Sequence, residues 1–262
     1  MTPGEKNDFD THAHYDDDAF DTDREDIIKA LTESDVKRIV NVGANLKTSQ
    51  NSIDLANKYG LFYAAVGVHP DDCDEIDDAG IEKLREMSKE KKVVAIGEIG
   101  LDYYWHKDNP DIQKNAFIRQ IELAKKLSLP IIVHSREAAR DTMDILAETD
   151  AGINSGVVHC FSYSPEIALE AIKLGFYIGV GGVVTFKNAK KLKETVEQIP
   201  LEKIVLETDC PYLAPVPYRA KRNSSLYLDY VVEEIAAIKQ TEAETVKEIT
   251  YKNALEMYRL FE

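Results

Sequence analysis

The chain carries six histidines, and five of them close short apolar runs. These runs end in Asp10-Thr11-His12-Ala13-His14, Val68-His69-Pro70, Gly97-Glu98-Ile99-Gly100-Leu101-Asp102, His134-Ser135-Arg136, His159-Cys160-Phe161 and Glu207-Thr208-Asp209. His106 is the exception. On extended chain, side chains at i and i+2 point the same way, so His12 and His14 can face one point. A single strand-end histidine is ordinarily a satisfied core residue. Four of them (His12, His14, His134 and His159), joined by Glu98 and Asp209, form a donor set for catalytic divalent metal. Six donors exceed the need of one four-coordinate ion, and a central carboxylate, Glu98, can bridge two. Such a pair, about 3.5–4 Å apart, activates water and clamps a transferring phosphoryl or acyl centre.

These residues need a frame that gathers strand ends. Eight β-branched apolar runs, at 7–12, 38–43, 61–68, 93–98, 130–134, 156–159, 176–181 and 203–208, alternate with helical patterns. The helical stretches are 23–34, 48–59, 80–90, 111–127, 136–148, 165–174 and 188–198, followed by 226–239 and 242–260. Ser164-Pro165 and Pro110-Asp111 mark helix starts. Consecutive apolar residues such as Ile131-Ile132-Val133 mark strands buried on both faces, as in a parallel sheet covered by helices. The expected fold is α/β, a (β/α)8 TIM barrel in a single domain over 1–262. The open doubly wound sheet is its rival. Catalytic residues of a barrel gather where the strands end, which is where the polar residues stand here.

Composition narrows the classes. The 262 residues hold 32 Lys plus Arg against 47 Asp plus Glu, a net charge of −15, so the surface as a whole is a poor partner for a polyanion. The charge is uneven: 71–78 holds six carboxylates, while Arg219-Ala220-Lys221-Arg222 is basic. The apolar runs are too short for a membrane span. The first residues lack an apolar signal core, and the odd count of three cysteines favours reduced thiols, so a cytoplasmic setting is expected. Gly179-Val180-Gly181-Gly182 is no dinucleotide loop, because Val184 holds the third glycine position.

In combination, the motifs resemble the TatD family of metal-dependent deoxyribonucleases, within the amidohydrolase superfamily. The matching stretches are Phe9 to His14, Val66 to Pro70, Ile96 to Tyr103, Pro130 to Arg136, Val158 to Ser162 and Leu206 to Leu213. The resemblance implies a TIM barrel with two divalent ions (Zn, Mn or Mg). It implies hydrolysis of DNA phosphodiesters; a 3′–5′ exonuclease on single strands, acting as a monomer with no membrane partner, is the expected form. Carried over by position, His12, His14 and Asp209 hold one ion, His134 and His159 the second, and Glu98 bridges. Asp209 also takes the proton of the attacking water. The family's loop after the eighth strand continues Arg-Asn-Glu-Pro, whereas here Arg222-Asn223 is followed by Ser224-Ser225.

Further substrate contacts are expected from His69 at the scissile phosphate, and from Arg219 and Arg222 on the strand backbone. Arg136 can bind substrate or pair with an acid. Tyr103, with Tyr104 and Trp105, can stack a base or pack under the rim. Cys160 and Cys210 should point away from the metal by strand parity. A second enzymatic reading keeps the metal site but changes the substrate to another ester or amide, such as an aminoacyl-tRNA ester or a small-molecule amide. The −15 charge and Ser224-Ser225 favour it. A non-enzymatic barrel with a relict site is the third reading, and six intact ligand types speak against it.

Overall fold

The computed structural model describes residues 7–261; the start of the chain read above for a signal segment, 1–6, and Glu262 lie outside them. The strands are β1 (Asp8–Ala13), β2 (Val36–Val42), β3 (Phe62–Val66), β4 (Val93–Asp102), β5 (Ile131–Arg136), β6 (Gly156–Val158), β7 (Tyr177–Val180) and β8 (Ile204–Leu206). Between them run α1 (Arg24–Thr32), α2 (Leu46–Lys58), α3 (Asp78–Met87), α4 (Pro110–Leu127), α5 (Ala139–Glu148), α6 (Pro165–Lys173) and α7 (Lys190–Gln198). After β8 come α8 (Leu228–Lys239) and α9 (Ala243–Tyr258).

The strands pair in chain order, β1 to β8, every pair parallel. β8 then returns to β1. The Asp209 N–H donates to the His12 carbonyl (2.9 Å), the His14 N–H to the Cys210 carbonyl (2.8 Å) and Thr11 Oγ1 to the Leu206 carbonyl (2.8 Å). This return decides for the barrel against the open sheet.

Alternation along each strand builds two cores. Inward-facing Phe9, Val40, Val42, Ile132, Val157 and Val205 pack with Tyr251, Met257 and Tyr258 of α9, which plugs the N-terminal end. Outward-facing neighbours, among them Ile39, Ile96, Ile131, Val133, Val158 and Leu206, pack under the helices. Each fully buried side chain of this kind contributes about 1.5–3 kcal/mol. That double burial explains the unbroken apolar runs. Pro165 opens α6 at its first position as read from sequence, although the Ser164 side chain makes no capping bond. Asn45 caps α2 with Thr48 in a reciprocal box, which starts that helix two residues before the apolar period suggests.

β4 differs most from expectation. It does not end at Glu98. After a register shift between Ile96 and Ile99 it pairs Gly100 with His134 and Asp102 with Arg136. Gly100 has φ +151°, and a Cβ there would sit 1.9 Å from the His134 carbonyl oxygen, so only glycine brings the two strands this close. α5 also starts three residues later than expected, because Arg136 still belongs to β5 and Glu137 takes φ +52°.

Candidate metal centre

Strand parity carries the inward column from the core to the mouth. Ile132 leads to His134, Val157 to His159 just past β6, and Val205 to Glu207 just past β8; Asp209 reaches the same mouth at φ +56°, where alternation has ended. On β1 an irregularity between Asp10 and Ala13 turns His12 into the same space, where its ring stacks on His159 at 4.0 Å. The His14 Nδ1 lies 2.9 Å from the Val42 carbonyl. A carbonyl only accepts, so Nδ1 bears the proton and Nε2 is the free donor atom.

Two clusters result, sharing one carboxylate. In the first, His12 Nε2 is 3.1 Å from His14 Nε2 and 3.8 Å from Asp209 Oδ1, and His14 Nε2 is 3.4 Å from Asp209 Oδ1. In the second, Glu98 Oε1 is 2.6 Å from His159 Nε2 and 2.8 Å from His134 Nδ1, and these two ring nitrogens are 3.5 Å apart. Glu98 Oε2 faces the first cluster, 3.5 Å from His12 Nε2. A tetrahedral ion with bonds of about 2.1 Å spreads its ligand atoms about 3.4 Å apart. The first cluster matches that spread; in the second the two rings do, while Glu98 Oε1 sits at hydrogen-bond distance from both of them. Nitrogen and carboxylate oxygen are also the donor types that zinc and manganese accept.

The charges agree. Burial raises the Glu98 pKa, but His159, His12 and His134 overcome it and hold the carboxyl well below the ordinary range. Asp209 is half-buried, and desolvation raises it, yet its carboxyl is lowered overall, chiefly by His14. Burial lowers the His14 pKa, and Asp209 reverses this and lifts the ring up to about 9. His134 is also lowered by burial, but Asp102 and Glu98 lift it to about 9. His12, buried and beside His159, is pushed down to about 4.

Three further carboxylates of the strand-end runs, given no role above, also line the site. Asp102 is 1% exposed; its Oδ2 lies 3.1 Å from His134 Nε2, and its Oδ1 accepts the Tyr104 and Trp105 N–H groups. The sequence signal was present, four residues past Glu98, but only the long β4 makes it a neighbour of His134. Glu207 stands on the inward column, its Oε1 4.0 Å from His159 Nδ1, and burial pushes it up to about 8. Asp10 lies beneath, accepting from Thr208 N and Oγ1, the His12 N–H and Ser225 Oγ. Ser224 and Ser225 are therefore buried partners of Asp10 and Tyr15, not part of a substrate-facing loop.

The other expected residues scatter. His69 is at the rim, its Nε2 3.9 Å from Glu98 Oε1 and its ring edge-on to His134. The Tyr103 hydroxyl donates to Asp141 (2.7 Å), so this ring packs outward, and Tyr104 and Trp105 are the exposed pair. Arg136 stacks on Tyr104 rather than pairing with an acid. Arg222 is held bidentate by Asp23 and by the Ala19 carbonyl, and Arg219 stacks on Phe186. Cys160 departs from parity: at φ +44° it lines a cavity of about 50 Å³ beside Glu207 and Asp209, whereas Cys210 is in the outer core as expected. Among the described residues no helix is long and apolar enough to cross a membrane.

Known proteins share this architecture. The sequence model of the family described as TatD related DNase matches residues 9–259. The metal-dependent hydrolase YabD of Bacillus subtilis, itself uncharacterised, is 45% identical over 252 residues, covering 96% of this chain and 99% of its own. A protein of Shigella flexneri named 3′-5′ ssDNA/RNA exonuclease TatD is 33% identical over 83% of this chain and 85% of its own. The crystal structure of the TatD homologue YjjV from Escherichia coli superposes with a TM-score of 0.90 at 29% identity, covering 96% of this chain and 98% of that one. The barrel, the paired histidine clusters and these likenesses agree: the chain belongs to the TatD-related DNase family and is a metal-dependent hydrolase.

Proposed function

We propose that the enzyme hydrolyses phosphodiesters of single-stranded DNA, removing nucleotides from the 3′ end. The observation that carries this reading is the division of Glu98, one oxygen toward each histidine cluster. That arrangement suits two ions, with His12, His14 and Asp209 holding one, His134 and His159 the other, and Glu98 shared. A bound pair of divalent ions supplies Lewis-acid polarisation of a phosphoryl oxygen and makes water acidic enough to react at neutral pH. The imidazole-rich donor set favours zinc or manganese over magnesium.

The chain's own residues do the rest. Asp209, kept ionised by His14 and His12, accepts the proton of the attacking water. His69 Nδ1 lies against Asp71, 3.2 Å from its N–H and 3.3 Å from Oδ1, and this leaves Nε2 directed at the site. There it donates to a phosphoryl oxygen and fixes the scissile group. The Shigella relative's name supports a single-strand substrate and the 3′–5′ direction.

The second reading, a different ester or amide, is favoured by the −15 charge and by Arg222 being engaged with Asp23. One experiment separates the two: an end-labelled single-stranded oligonucleotide incubated with Mn²⁺ or Mg²⁺, with chelator and Asp209→Asn as controls. Stepwise shortening abolished by both controls is the expected result. An intact strand, with metal shown to be bound, overturns the nuclease reading in favour of the second.

A further inference from the structure

Trp105 is the single tryptophan of the chain and is 65% exposed; Tyr104 beside it is 44% exposed. Two large rings exposed side by side make a contiguous apolar patch, and such patches mark binding surfaces more than single exposed rings do. Here they are also held in place. Both backbone N–H groups donate to Asp102 Oδ1, at 2.8 and 2.9 Å, and Asp102 Oδ2 touches His134 Nε2 at 3.1 Å. The Tyr103 N–H is bonded to the Arg136 carbonyl (2.9 Å). The two rings meet edge to face, 4.7 Å apart at 87°. The Arg136 guanidinium lies 4.2 Å from the Tyr104 centroid and 5.6 Å from that of Trp105. A fixed indole, a second ring and an arginine thus stand one carboxylate away from a residue of the metal centre.

An apolar peptide would find little here, because the flanks are ionic: Lys107 faces Glu137, and His106 pairs with Asp71. A planar aromatic group carrying an adjacent anion meets both features, the ring by stacking and the anion by Arg136. We propose that Trp105, Tyr104 and Arg136 form a base-stacking subsite, which takes the nucleobase next to the scissile phosphodiester. This rests on the nucleic-acid reading above and deepens it. Stacking on one ring is sequence-tolerant, since every base has a π face, so the subsite grips a strand without reading its sequence. Asp102 sets the height of the platform relative to His134, which registers the base against the reacting phosphate.

The lone indole is its own reporter. In the Asp209→Asn background, which holds the strand uncut, a short oligothymidylate is titrated against the intrinsic fluorescence, beside an abasic strand of equal length. Thymidylate is expected to quench Trp105 and to bind about tenfold more tightly than the abasic strand. Adding Trp105→Ala should collapse that difference, read by anisotropy of the labelled strands, and Trp105→Phe should restore part of it. The exposed position leaves folding undisturbed, checked by thermal melting. Equal quenching by both strands, or a base preference that survives Trp105→Ala, overturns the subsite. The native enzyme separates the two levels. If it shortens the oligonucleotide with the same KM when Trp105 is alanine, only the subsite falls. If the strand is neither bound nor cut, the nuclease reading falls with it.

Discussion

The two ends of the barrel are built on the same strands and do opposite things. At the N-terminal end, Phe9 packs on Tyr251 and Tyr258 of α9 with centroids 6.1 and 5.9 Å apart, and the inward column is apolar. At the C-terminal mouth the same column carries His134, His159, Glu207 and Asp209. His12 Nδ1, His159 Nδ1 and Glu207 Oε2 are buried there without a hydrogen-bond partner. The N-terminal end leaves one such atom, Asp8 Oδ1, whose carboxyl is paired through Oδ2 with Lys247 of α9 (3.0 Å), whereas the mouth keeps these three in reserve for a ligand. Within five residues, Val205 to Asp209, the chain passes from one regime to the other. Stability and chemistry are therefore separable along the barrel axis, and substitutions at the two ends should fail in different assays.

The largest effect is expected at the mouth. Glu98→Gln removes the carboxylate common to both clusters and should lower hydrolysis by at least about a thousandfold. Circular dichroism should still show a folded barrel; a loss of fold would erase the contrast between the ends. At the plug, Phe9→Ala should cost about 3–5 kcal/mol in denaturant unfolding. Metal bound per folded molecule, measured by mass spectrometry, should stay the same.

Asp102→Asn sharpens the boundary. It leaves the shape but removes the carboxylate charge beside His134 Nε2, and should weaken metal affinity about 10–100-fold in chelator competition. An unchanged affinity would confine Asp102 to fixing the loop.

Acidity gives a smaller and graded test. His14 and His134 are lifted to about 9 in the metal-free protein, so both are protonated at neutral pH. A metal must displace those protons. Affinity should rise with pH up to about 9, about tenfold per unit for each ring displaced, and calorimetry in two buffers should register proton release. For the metal-free protein the sign reverses. Both pKa values lie above the unfolded value of about 6.5, so their stabilisation is complete below that pH and lost as pH climbs through 9. A metal-free melting temperature that rises over this window would contradict the assignment. The smallest effect is expected for Tyr258→Phe. Its hydroxyl donates to the Thr11 carbonyl, and its loss should cost about 1 kcal/mol with turnover untouched.

Much of this was legible in the sequence, for a local reason. Short apolar runs marked eight strands, and residue type at their ends picked out the six residues that gather at the mouth. Both depend on neighbours within a few positions. What the sequence left open depended on contacts between distant segments. The shift between Ile96 and Ile99 lengthens β4 and delivers Asp102 to His134. Asp141 engages Tyr103, leaving Trp105 as the exposed ring, and Asp23 engages Arg222, 199 positions away. Ser224 and Ser225, conspicuous as a departure from the family's pattern, turn inward to Tyr15 and Asp10. Which face a side chain takes is a property of its own strand. Which partner it meets is set by register between strands and by where loops return, and only the closed barrel decides that.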